Sequence, residues 1–136
     1  MRTAQDNVII VWKKINDSAL STEISGGVYK GSRPVNSVSE DIVVNTLGLP
    51  NQQVQQSIIN VNIHVPNKDA RIDGVINSVC DDERLNELTR MALELLNEDY
   101  SGDDWHFEVQ QHTQPVEQEG SYYVNIRIEF YSLNIQ

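Results

Sequence analysis

Apolar and polar side chains alternate most cleanly between Ser57 and Val65. Ile59, Val61, Ile63 and Val65 are interleaved with Asn60, Asn62 and His64, the period of two that marks a half-buried strand. Pro66 stops it, because proline cannot continue the ladder. A second strand is predicted over Asp41–Leu47, where Ile42, Val43, Val44 and Leu47 put apolar groups on both faces and argue for a central position. Val28–Lys30 reads as a short strand. In a further strand Trp105, Phe107 and Val109 alternate with His106, Glu108 and Gln110. The last strand is the longest, Ser121 to about Ile135, with Val124, Ile126, Ile128 and Phe130 on one face. Past Phe130 the parity flips to Tyr131, Leu133 and Ile135. One face cannot serve both sets, so either a bulge re-aims the strand or its end leaves the core.

Two segments carry helical spacing. In Thr3–Leu20, Val8, Trp12, Ile15 and Ala19 fall on one stripe. In Asp81–Glu98, Leu85, Leu88, Ala92, Leu95 and Leu96 share a face. Asp81, Asp82 and Glu83 crowd the first turn of the latter, where the helix dipole favours negative charge, and Arg90 is spaced to pair with Glu87 and Glu94. Ser25-Gly26-Gly27, Gly31–Pro34, Gly48–Gln56, Asn67–Gly74 and Thr113–Gly120 read as turns or loops. The resulting order is α-β-β-β-α-β-β. It predicts a single α+β domain over residues 1–136, a mostly antiparallel twisted sheet with two helices packed on one face.

At 136 residues the chain is long enough for one proper core. Its single cysteine, Cys80, excludes an internal disulfide and a paired-thiol zinc motif, and fits a reducing compartment. No apolar run approaches the ~18 residues of a membrane span, and the polar start, Met1–Asp6, lacks the pattern of a signal peptide. Net charge is −10 and unevenly spread. Residues 1–71 carry seven basic and six acidic groups (+1), and residues 72–136 carry three and fourteen (−11). Such a chain lacks the clustered cations that grip nucleic-acid backbone. Its acidity either keeps a small protein soluble or meets a basic partner.

Catalytic and metal-binding patterns are sparse. His64, Asp103 and His106 could form a site only if the fold gathers them, and solvated histidines are the plainer reading. Asn67–Gly74 fails as a calcium loop, with Arg71 and Cys80 where oxygen ligands belong. Neither glycine cluster has phosphate-loop spacing. Cys80 sits beside three acids, which oppose thiolate formation and favour a buried structural role. Lys30 and Arg33 make the one compact cationic spot, a contact loop for an acidic neighbour if not a solvated turn. Nothing here predicts an enzyme.

One arrangement carries a resemblance. An amphipathic helix leads into Ser25-Gly26-Gly27-Val28-Tyr29-Lys30-Gly31-Ser32-Arg33-Pro34. The strand Glu40-Asp41-Ile42-Val43-Val44-Asn45, an alternating strand, a second amphipathic helix and a long final hairpin follow. This order resembles the tail-completion, or tail-terminator, proteins of long-tailed phages and prophages. The resemblance implies a cofactor-free virion protein, assembled in the bacterial cytoplasm. It forms a ring, usually of six subunits, on the head-proximal end of the tail tube. The ring stops tube polymerisation and offers the head-side connector a docking surface, and an acidic wall lets DNA pass without sticking. Head-to-tail rings need two complementary surfaces on each subunit. Tyr29, Lys30 and Arg33 in the turn, and Tyr131, Leu133 and Ile135 at the end, are the expected contact residues. The alternatives are a neck or head-closure protein, a small metal-dependent hydrolase using His64 and His106, and an acidic adaptor or inhibitor that mimics nucleic acid.

Overall fold

The computed structural model describes residues 3–46 and 56–132. The expected contacts Leu133 and Ile135, and Leu47 of the second strand, lie outside the described residues.

The first helix is shorter than its stripe suggests. Helix α1 spans Ala4–Asn16 and starts at a capping box, in which Thr3 and Asp6 bond each other's backbone N–H groups. It buries Val8, Val11 and Ile15. Ser18 then caps a separate short helix, α2 (Ala19–Glu23), by accepting from the Leu20 N–H. That break turns Leu20 inward and leaves Ala19, expected on the buried stripe, exposed. Trp12 is only half-buried, its indole N–H donating to the Val28 carbonyl 2.9 Å away.

Strands β1 (Val28–Lys30) and β2 (Asp41–Thr46) pair in parallel, and β2 pairs antiparallel with β3 (Gln56–Pro66). The next segment departs from expectation. Residues 68–79 form a β-hairpin, β4 (Lys68–Ile72) and β5 (Val75–Val79), which makes its own two-stranded sheet. Its turn is Asp73-Gly74, both at positive φ (51° and 80°), the two-residue hairpin chemistry that Asp-Gly favours. Helix α3 (Asp82–Leu96) follows, capped by Asp81, and buries Leu85, Leu88, Thr89, Ala92 and Leu96. The two-residue strand β6 (Glu98–Asp99) leads to β7 (Trp105–His112), and Val116–Gln118, expected as loop, forms the short strand β8. The chain ends in β9 (Ser121–Ser132).

The main sheet runs β1-β2-β3-β9-β7-β6, with β8 beside the start of β9. β3 and β9 are its long centre, paired without interruption from Gln56↔Tyr131 to Pro66↔Ser121. α1, α2 and α3 lie on one face, and the core joins their apolar sides to Ile42, Val44, Ile59, Val61, Ile63, Phe107, Ile126, Ile128 and Phe130. This is the expected α+β architecture, with the short elements added. β9 contains no bulge: its alternation continues through Ser132, which is buried, and Tyr131 points to the opposite face. The register shift lies in the neighbouring strand β7, between Val109 and Gln111.

Candidate interaction surfaces

The sheet face away from the helices carries the side chains of even β3 residues and odd β9 residues. At its middle, Asn45, Asn60, Asn62 and Asn125 bond one another across three strands at 2.7–3.3 Å. Beside them lies Arg127, whose buried Nε has no hydrogen-bond acceptor among the described residues.

At the β3 end of this face, the Gly26–Pro34 turn is locked down. Asp41 is 1% exposed and accepts from the Gly27 N–H at 3.2 Å, from Ser37 Oγ, and from Arg33 Nη1 at 3.4 Å. Gly26 is required there, because a Cβ at that position would lie 1.9 Å from Asp41 Oδ1. Lys30 stands 4.5 Å over the Trp12 ring. The two cations expected to form an open contact spot are therefore each engaged within the chain. The nearby Val35 and Val38 are 90% and 84% exposed.

His64 pairs across from Asp41 and lies 5.1 Å from the Tyr123 ring. It is buried rather than solvated, and its Nδ1 has no partner among the described residues. Burial, reinforced by the Arg33 charge, pulls its pKa down to about 4. His106 cannot join it. The two histidines pair with Tyr123 and Tyr131 of β9, eight residues apart and so roughly 27 Å at ~3.4 Å per residue. Among the described residues no three metal-ligating side chains gather. The half-buried Cys80 thiol is pushed up to about 11 by burial and the Asp82 contact.

At the far end of the same face, two rows of side chains cross the strands. Tyr100, His106 and Tyr131 form a column of stacked rings, with centroids 4.8 Å apart at each step. Glu98, Glu108 and Glu129 lie side by side in the next row. Like charges placed opposite each other repel. Glu129 is held by the Tyr131 hydroxyl at 2.6 Å and by Gln110 Nε2 at 3.2 Å. The first of these bonds helps push the Tyr131 hydroxyl up to about 12. Of the expected contact residues, Tyr131 is therefore placed in a built surface.

Ion pairs centred on Arg84 and on Lys14 brace the helix side. Arg84 bonds Glu40 at 2.6 Å and 3.0 Å, Glu23 at 3.0 Å, and Glu87. It ties α3 to α2 and to the approach to β2, and holds the Glu40 carboxyl below its usual range. Glu87 is thus drawn to Arg84 rather than to the Arg90 that its spacing favoured. Lys14 reaches Asp99 at 2.6 Å. Burial alone would raise the Asp99 pKa, but the Lys14 and Ser101 hydrogen bonds outweigh it and the carboxyl titrates low.

The β4–β5 arm gathers three exposed apolar side chains on one hairpin. Ile72, Val75 and Ile76 are 50%, 61% and 61% exposed. Among the described residues each arm strand pairs only with the other, which leaves an outer backbone edge on each. The arm leaves no apolar period in the sequence, because neither of its strands buries a face. The Asp-Gly pair was the available signal.

No family model and no curated protein matches the chain. Several solved structures match the chain; one of them is similar over 96% of both chains at 13% identity with a TM-score of 0.53, and its name carries no functional description. That similarity extends to the fold.

Proposed function

We propose that the chain is a structural tail-completion (terminator) protein of a phage or prophage. It forms a ring on the head-proximal end of the tail tube and presents the surface to which a head-side connector docks. The observation that carries this reading is the arm. A two-stranded ribbon that leaves the body with Ile72, Val75 and Ile76 in water has its apolar surface and both its edges available to another chain. The separation of His64 from His106 supports the same side of the choice, because the residues that a hydrolase reading needs never face one another. The α+β fold and the order of elements agree with the terminator resemblance, and the acidic second half of the chain suits a ring through which DNA slides.

Adding the full chain to polymerising tail-tube protein tests the reading. Tubes should stop growing in proportion to the chain added. Tube lengths that ignore the chain, or a chain that instead closes isolated heads, would replace this reading with a neck or head-closure role.

A further inference from the structure

The arm and the ring-and-carboxylate rows lie at opposite ends of the molecule. The arm leaves the sheet just past Pro66, which pairs with Ser121, while the rows are built around Glu129 and Tyr131. Eight residues of β9 separate Ser121 from Glu129 and ten separate it from Tyr131, roughly 27 Å and 34 Å at ~3.4 Å per residue. Each arm strand has five residues, a reach of about 17 Å. A chain therefore cannot lay its arm on its own rows.

Their chemistry is complementary. On one face of the arm, Arg71 stands directly opposite Ile76. Both are exposed, and the Arg71 guanidinium donates to the Gly74 carbonyl at 3.0 Å. Side chains so paired lie about 5 Å apart. The two rows on the sheet face, one of carboxylates and one of rings, are spaced like residues i and i+2 of a strand, about 7 Å. A cation about 5 Å from an aliphatic side chain thus faces acids about 7 Å from rings, and the long Arg71 side chain spans the difference. Tyr100, at the outer end of the ring row, is 60% exposed.

We propose that the Arg71–Ile76 face of the arm docks on the Glu98–Glu108–Glu129 and Tyr100–His106–Tyr131 rows of a second copy of this chain. Arg71 enters the carboxylate row, where it relieves the mutual repulsion of the glutamates, and Ile76 packs on the rings. Arm and rows are different surfaces, so the contact is head-to-tail and repeats until it closes. The inference rests on the assembly reading and names the junction between its subunits.

Charge reversal tests it. In sedimentation velocity the wild-type chain should sediment as a closed oligomer, and R71E and E108R should each sediment as folded monomers, with wild-type circular dichroism. Each junction in an equimolar mixture of the two pairs opposite charges, either native or exchanged. The mixture, and the R71E/E108R double variant, should therefore regain the wild-type sedimentation. Single variants that sediment like the wild type overturn the proposal, as does a wild type that stays monomeric or a mixture that stays monomeric. A chain that stops tube growth yet ignores the reversals would keep the terminator reading and lose this junction.

Discussion

His64 shows how one residue's neighbours set its behaviour. Alternation places it on the polar face of β3, as expected, yet the residues packed around it leave it buried. Because the folded pKa is about 4 against an ordinary 6.5, the unfolded chain takes up the proton first as pH falls. Its contribution to stability is therefore unchanged above pH 6.5 and is lost progressively between pH 6.5 and 4, by up to about 3 kcal/mol. Urea unfolding of the wild type and of H64Q at pH 7 and pH 4.5 checks this. The wild type should lose more stability over that interval than the variant, and equal losses would show that His64 titrates normally. Asp41 teaches a related lesson. Its sequence context reads as the polar start of a strand, and its burial depends on Gly26, Gly27, Arg33 and Ser37 coming together, which no local pattern announces.

Among the elements, those with an uninterrupted period were legible. β3, α3 and the body of β9 stand where alternation or the helical stripe puts them, because burial of one face dictates both the pattern and the structure. Of the shortest elements β1 was legible, but others were not. β6 and β8 exist through pairing with β7 and β9, and α2 separates from α1 through the cap at Ser18. The arm was hidden differently: its strands are exposed, so no core face imprints a pattern on them. The Asp73-Gly74 turn holds it, and G74A is expected to cost about 1 kcal/mol, since an alanine at φ +80° is strained while no atom lies near enough to clash. The loss should stay local. Amide exchange should quicken across Lys68–Val79 while the midpoint of global unfolding holds, and a cooperative loss of the whole domain would show that the arm is part of the core.

At the scale of the molecule, the helices seal one sheet face and leave the other with polar ladders, acids and stacked rings. The candidate contact surface was only partly legible at this scale. Tyr131 was singled out because parity flips after Phe130, and it does face away from the core. Its neighbours in space, Tyr100, His106 and Glu129, come from the residue after β6, from β7 and from β9 itself, and their convergence depends on the β6-β7-β9 register. Lys30 and Arg33 drew attention as a cluster in the sequence, but the fold spends them on Trp12 and Asp41. Negative-stain imaging of isolated tail tubes mixed with the full chain decides whether it caps them. A ring should sit on one end of each tube, with the other end bare. Tubes with both ends bare, at chain concentrations well above that of tube ends, would contradict it.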